Sequence, residues 1–254
     1  MTTLHGALEA IWLDVAPFLP GFTVEQIRKI DSTNSELVRR ARDGRLEPVL
    51  LVAECQTAGR GRLGRDWHSD TTPAGASLTF SLGLPYEPHD WSGLSLAVGL
   101  NIVHSLHPAL QLKWPNDIWW QGRKIGGILI ETVVTGSQRY AVIGVGLNIR
   151  YQPTQDGVPP SATLQNLMPD ITAAQALLQI VPPIVQHLQQ FSSHGFAPLQ
   201  LAFGQRDALF GHNVVCTNHT TGVARGVDAK GALLVHTTEG IVTIHSSEVS
   251  VKPS

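Results

Sequence analysis

Apolar residues at Leu4, Leu8, Ile11, Trp12, Val15 and Leu19 recur every three or four positions. That spacing puts them on one face of an amphipathic helix, which Pro20 and Gly21 end. An extended segment runs to about Ile30. Asp31-Ser32-Thr33-Asn34 then opens a second helix, in which Thr33 and Glu36 have capping-box spacing. The apolar run from Val49 to Cys55 predicts a buried strand, and Ser77 to Leu82 predicts another. A helix is expected from about Asp90 to Leu106. A short strand leads into Lys113, and Lys124 to Val134 and Tyr140 to Ile149, joined by a turn at Gly136-Ser137, predict a hairpin. Thr172 to Phe191 has a helical pattern that Pro182-Pro183 is expected to break or kink. From about Leu209, short strands alternate with Gly211, Gly222, Gly226, Gly231 and Gly240. This alternation predicts a small β-barrel behind a mixed α/β domain. The division is expected at residues 1–205 and 206–254.

Composition narrows the class. The chain has 254 residues, enough for a large domain and a small one, and 43% apolar with 15% charged residues is a globular balance. A formal net charge of -2 supplies no general field for nucleic acid, so any positive charge that matters must be local. The two cysteines, Cys55 and Cys216, stand far apart and outside any C-x-x-C spacing. They indicate neither a disulfide framework nor a cysteine zinc site. Glu9, Asp14, Pro17 and Pro20 interrupt any leader-like apolar run, and no stretch reaches membrane-span length. Cytoplasmic residence without a membrane partner is the expectation.

Local charge is concentrated in Gly59-Arg60-Gly61-Arg62-Leu63-Gly64-Arg65. By letter this contains a dinucleotide fingerprint, but that device needs a helix to start at the third glycine. Here Asp66-Trp67-His68-Ser69-Asp70-Thr71-Thr72-Pro73 follows, which reads as loop. Three arginines within six residues repel one another unless an anion lies among them. The interleaved glycines and guanidinium donors suit a carboxylate or phosphate. A solvated basic turn is the plain alternative. Trp67 has two readings, core packing or stacking on a purine.

A second cluster, Lys113-Trp114-Pro115-Asn116-Asp117 followed by Lys124-Ile125-Gly126-Gly127, sets two lysines eleven positions apart around an Asn-Asp pair. Neither a Walker loop nor a G-x-S-x-G elbow is present. The histidines, His104, His107, His212 and His219 among them, fit no metal spacing.

Asp31-Ser32-Thr33-Asn34, Glu54 to Trp67 with Gln56 and the arginine loop, Lys113 to Asp117, Lys124 to Glu131 and Gly144-Val145-Gly146-Leu147-Asn148 come in an order and at a spacing that resemble bacterial biotin–protein ligases of the biotin holocarboxylase synthetase type, over nearly the whole chain after residue 25. The resemblance implies a mixed-sheet α/β catalytic domain of the α+β type and a small SH3-like barrel. It implies that ATP activates biotin as biotinyl-adenylate, with Mg²⁺, and that the biotinyl group passes to a lysine of a biotin carboxyl carrier protein. Ser32, Thr33, Asn34 and Gln56 would line the biotin site, and Arg60, Gly61 and Arg62 would belong to a loop that orders over biotin and its adenylate. Lys124 would contact biotin and the reacting phosphate, and with Arg62 it forms the catalytic pair. Trp67 would pack on adenine, with Lys113, Asn116, Asp117 and Asn148 in nucleotide-side motifs. No metal ligand is assigned, and the chain is expected to act as a monomer or homodimer.

Alternatives are a lipoate–protein ligase, a biotin-sensing DNA-binding repressor or an inactive biotin-binding module. The arginine loop followed by tryptophan argues against the first. The roughly thirty residues before Ser32 and the absence of basic bias argue against the second. Retention of Lys124 and the loop argues against the third. The tail reads Ser246-Ser247-Glu248-Val249-Ser250 where glycine is expected before the glutamate. That departure puts a nucleotide contact from the C-terminal unit in doubt.

Overall fold

A computed structural model describes residues 3–69, 75–151 and 161–245, and the backbone alone of 251–253. The expectations that concern Asp70 to Pro73 and Ser246 to Ser250 lie outside the described residues.

The strands in chain order are β1 Thr23–Ile30, β2 Val49–Gln56, β3 Gly59–Arg60, β4 Asp66–Trp67, β5 Ser77–Pro85, β6 Gln111–Lys113, β7 Asp117–Trp120, β8 Arg123–Thr135 and β9 Gln138–Asn148. They are followed by β10 Asn213–Cys216, β11 Thr221–Val227, β12 Leu233–Thr237, β13 Gly240–Ile244 and β14 Val251–Pro253. The α-helices are α1 Leu4–Val15, α2 Thr33–Arg42, α3 Leu94–Leu106, α4 Ala173–His194 and α5 Gln200–Gly204. Seven strands form a mixed sheet in the order β1-β2-β5-β9-β8-β7-β6. Only its β1–β2 pair is parallel, because α2 carries the chain across between them. A five-stranded antiparallel sheet, β13-β12-β11-β10-β14, occupies the C-terminal region where the small barrel is expected.

The large sheet buries two faces differently. Leu50, Val52, Leu78, Phe80, Leu82, Ile143, Val145 and Leu147 face the main core, together with buried residues of α1, α3 and α4. Alternation sends Val49, Leu51, Val133, Tyr140 and Val142 to the opposite face, where they pack on Leu37, Val38 and Ala41 of α2. The main core continues without interruption into the C-terminal sheet through Val214, Ala224, Leu233 and Val235. Trp114, fully buried, donates its Nε1–H to Gly231 O at 3.0 Å across that junction.

Four local expectations are corrected. The first helix ends at Val15, and Trp12 is 45% exposed, its indole N–H donating to Phe22 O. The cap of α2 is Ser32, whose Oγ accepts from Ser35 N at 3.4 Å. Thr33 instead turns into a buried hydrogen-bond cluster, and Glu36 pairs with Arg39 and Arg40. The helix expected from Asp90 begins at Leu94, after Asp90 has accepted from Ser92 N. Pro182 and Pro183 lie inside the continuous α4. Burial of Ile180, Val181, Ile184, Val185 and Leu188, at about 1.5–3 kcal/mol each, outweighs two interior prolines at about 3 kcal/mol each. The sequence pattern marks no element at Asp117 to Trp120, which form β7 because Asp117 and Ile118 pair with Gly127 and Gly126 of β8.

Candidate active site

The same alternation that builds the core leaves a polar trough on the α2 face. Thr79 and Ser81 of β5, Gly127 and Glu131 of β8, and Gly144 and Gly146 of β9 occupy positions where neighbouring segments carry Val, Leu or Tyr. Register aligns them into a row: Ala53 opposes Thr79, Thr79 opposes Gly146, Gly146 opposes Gly127, Gly127 opposes Asp117 and Asp117 opposes Lys113. Two glycines in this trough are required by close approach. A Cβ on Gly144 would lie 2.1 Å from Asn34 Oδ1, and one on Gly146 would lie 2.4 Å from Trp67 Cε2. The sheet thus gives up side chains where α2 and the loop between β3 and β4 press onto it.

One end of the trough is neutral and rich in hydrogen bonds. Gln56 Oε1 accepts from Thr33 N at 2.7 Å and from Thr33 Oγ1 at 3.0 Å. Ser81 Oγ, fully buried, lies 2.7 Å from Thr33 Oγ1 and 2.6 Å from Asn34 Oδ1. Asn34 Nδ2 donates to Leu129 O at 3.2 Å and to Glu131 at 2.9 Å. These partners offset the cost of burying Ser32, Thr33, Asn34 and Gln56. Asp31, next in the chain, accepts from Ser32 N and holds a two-point pair with Arg39; hydrogen bonding to that guanidinium keeps its carboxyl below the usual carboxylate range.

The other end is charged. Lys124 Nζ lies 2.7 Å from Asp117 Oδ1, and Lys113 Nζ lies 4.0 Å from Asp117 Oδ2 and 5.1 Å from the centre of the Trp119 ring. Asn116 Nδ2 donates to Ile128 O at 2.7 Å, and its Oδ1 is 3.5 Å from Arg62 Nη1. Burial pushes the Arg62 guanidinium below its ordinary pKa, and the nearby Asp117 charge opposes that. Between the two ends the short β3–β4 hairpin crosses the trough and lays the half-buried Trp67 indole on Gly146. The indole Nε1 is buried, with no hydrogen-bond partner among the described residues.

The resulting cavity, about 120 Å³, is lined by Ser32, Thr33, Asn34, Gln56, Arg60, Gly61, Arg62, Trp67, Asn116, Asp117 and Lys124 of the expected residues. Two others do not line it. Lys113 is buried beneath Asp117 and against Trp119, and Asn148, at the end of β9, turns towards Ala162 O at 3.4 Å. Of the loop arginines, which repel unless an anion lies among them, Arg60 has an anion supplied by the chain itself. Arg60 Nη2 already meets Glu131 Oε2 at 2.8 Å. Glu131, Ser81, Thr79 and Gly146 were not singled out as site residues. The signal for Thr79, Ser81 and Gly146 was the period-two alternation of small and polar residues through Ser77-Leu78-Thr79-Phe80-Ser81 and Gly144-Val145-Gly146.

The model of the biotin/lipoate A/B protein ligase family matches residues 27–148, and that of the biotin protein ligase C terminal domain matches 215–252. The Escherichia coli bifunctional ligase/repressor BirA is 33% identical over 237 residues, spanning 88% of this chain and 72% of the relative. The Mycobacterium tuberculosis biotin–[acetyl-CoA-carboxylase] ligase is 32% identical over 248 residues, spanning 89% of this chain and 88% of the relative. The solved structure of the Aquifex aeolicus biotin protein ligase in complex with biotin and ATP superposes with a TM-score of 0.79 at 28% identity, covering 91% of this chain and 99% of that one. The trough, the arginine loop across it and the C-terminal sheet are therefore those of a member of the biotin/lipoate A/B protein ligase family, to which this chain belongs.

Proposed function

We propose that this chain is a biotin–[acetyl-CoA-carboxylase] ligase, which activates biotin with ATP and transfers the biotinyl group to a lysine of a biotin carboxyl carrier protein. The carrying observation is the polarity of one continuous cleft. Thr33, Asn34 and Gln56 surround a neutral, hydrogen-bonding end, and Lys124 and Arg62 converge on a cationic end. Biotin has the matching polarity, a ureido head and a carboxylate tail.

In this reading the biotin carboxylate attacks the α-phosphorus of ATP and pyrophosphate departs, leaving biotinyl-adenylate. The carrier amine then attacks the acyl carbon, forms the amide and releases AMP. Lys124 and Arg62 offset the repulsion between carboxylate and phosphate and stabilise charge that grows during the first step. Asp117, 2.7 Å from Lys124 Nζ, orients that ammonium. Trp67 offers a ring face to adenine, and the hairpin bearing it shields the labile anhydride from water. Mg²⁺ would enter with the nucleotide. Asp66 and Asp117 line the cleft, a donor set suited to an ion held by one or two carboxylates plus phosphates. Such an ion would neutralise phosphate charge.

Lys113 and Asn148 then support the nucleotide side from outside the cavity, Lys113 through Asp117. The reading treats residues 1–205 as the catalytic unit and 206–254 as the C-terminal one. It places the chain in the cytoplasm, where carrier and ATP coexist; among the described residues no helix is long and apolar enough to cross a membrane. Incubation with biotin, ATP, Mg²⁺ and apo-carrier, read by mass spectrometry, tests it. One added biotinyl group on one carrier lysine is expected. An unlabelled carrier, or labelling by lipoate in preference to biotin, overturns it.

A further inference from the structure

Asn116 and Asp117 line the cleft, yet the turn that presents them is held from the far side. Lys113 of β6 opposes Asp117 of β7, so Trp114, Pro115 and Asn116 alone connect the two strands. The C-terminal region pins the first end of this turn. Leu112 N donates to Arg206 O at 2.8 Å, and Leu112 O accepts from Ala208 N at 2.9 Å, so the chain leading into the C-terminal sheet runs along the β6 edge. Trp114, with no exposed surface, donates its indole N–H to Gly231 O at 3.0 Å.

Gly231 lies in the turn between β11 and β12, and Asp228 builds that turn. The Asp228 Oδ1 accepts from Lys230 N and Ala232 N, both at 2.9 Å, and its backbone O accepts from Gly231 N at 3.0 Å. The turn sits tightly on the start of α3, where a Cβ on Gly231 would lie 2.9 Å from Gly93 Cα. The Gly231 carbonyl is thereby fixed, and it fixes Trp114. At the other end of the cleft turn, Asn116 O accepts from Ile128 N at 3.0 Å and Asn116 Nδ2 donates to Ile128 O at 2.7 Å. A turn this short has little slack, so a shift of the close-packed indole reaches Asn116 and Asp117. We infer that Trp114 is a positioning residue through which the C-terminal sheet fixes the Asn116–Asp117 end of the cleft. The consequence for ATP rests on the ligase reading: the sheet governs the nucleotide side through Trp114, without touching the nucleotide. The coupling itself does not depend on the substrate.

Losing one partner of a buried hydrogen bond shifts an equilibrium by about two- to tenfold. The test uses the full chain and four variants. Trp114→Phe keeps a ring and removes the N–H. Asp228→Ala removes the acceptor that builds the Gly231 turn, at a residue that lines no part of the cleft, and Asp228→Asn retains an acceptor oxygen. The fourth variant combines Trp114→Phe with Asp228→Ala. Hydrogen exchange of the Ile128 amide is measured without substrates, and the KM values for ATP and biotin are measured with apo-carrier. Trp114→Phe and Asp228→Ala are each expected to speed exchange and to raise the ATP KM about two- to tenfold, with the biotin KM within about twofold of wild type. Asp228→Asn should match wild type, and the double variant should go no further than Trp114→Phe. A role in folding alone would lower the active fraction and leave both KM values in place. Should Trp114→Phe fail to fold, the Asp228 pair gives the same contrast with Trp114 intact. An unchanged ATP KM in active Asp228→Ala, an equal rise in both KM values, or additive effects in the double variant overturns the inference. A wild-type chain that leaves the carrier unlabelled while Asp228→Ala still speeds Ile128 exchange overturns the substrate reading and supports the coupling.

Discussion

Replacing Gly146 by alanine places one methyl group where the structure has no room for it. The added Cβ would lie 2.4 Å from Trp67 Cε2, 2.5 Å from Cζ2 and 2.9 Å from Nε1, whereas ordinary contact starts at 3.4 Å, so about 1.0 Å must be found. Strand β9 cannot easily supply it, for β5 and β8 hold it on both sides along nearly its whole length. Trp67 can, because it is half-buried and sits on a hairpin of two-residue strands. Overpacking of this kind costs about 1–3 kcal/mol. If the indole face is the adenine seat, that cost falls on nucleotide binding and raises the KM for ATP by about 5- to 150-fold. The melting temperature without ligand should change little. Trp67→Ala alone should also raise the ATP KM while biotin binding stays near normal. In the Trp67→Ala background Gly146→Ala should have little further effect, since the three atoms nearest the added methyl all belong to the indole. Steady-state kinetics of carrier labelling with varied ATP, for the two single variants and the double one, measure this cycle. An ATP KM within about twofold of wild type for Gly146→Ala, or an equal penalty with and without Trp67, would refute the seating of the indole on β9 as the nucleotide platform. A stability loss of about 3–5 kcal/mol for Trp67→Ala would assign Trp67 to the core instead.

Lys124→Ala should lower adenylate formation by about 100- to 1000-fold, as for removal of a single electrostatic donor; normal adenylate formation by a folded variant, followed by release of pyrophosphate, would remove Lys124 from the reaction. Asp207 gives the pH dependence. Burial raises its carboxyl from 3.8 to about 6, against hydrogen bonds from the Leu209 and Phe210 backbone, and its Oδ2 has no hydrogen-bond partner among the described residues. Because the folded state holds the proton more tightly, this contribution to stability is complete below about pH 3.8 and is lost as pH rises through about 6. The loss totals about 3 kcal/mol, of which about 1 kcal/mol falls between about pH 5 and about pH 7. Thermal melts of Asp207→Asn should therefore lack a decline of about 2–4 °C over that interval; an identical pH slope in wild type and variant would contradict the burial of the charge.

The sequence by itself determined what rests on neighbours in the chain. The apolar run of β2, the turn between β8 and β9 and the glycine-punctuated tail follow from local period and turn chemistry, so these elements were legible. The order of Ser32-Thr33-Asn34, the arginine loop, Lys113 to Asp117 and Lys124 was legible too, and with it the family and its chemistry. Tertiary structure decided whatever depends on which distant residues meet. Nothing local shows that Glu131 meets Arg60 and Asn34, that Ser81 underlies Thr33, or that Gly146 receives Trp67. Those meetings depend on the register of β5, β9 and β8, which is set across the whole sheet. The same holds for Lys113 and Asn148, which share motifs with cleft residues yet stand outside the cavity. Each opposes a cleft-side or core neighbour one strand away, Asp117 and Ser77. Pro182 and Pro183 make the point in the other direction, since local backbone chemistry argues for a break and only packing of the α4 apolar face on the core overrides it.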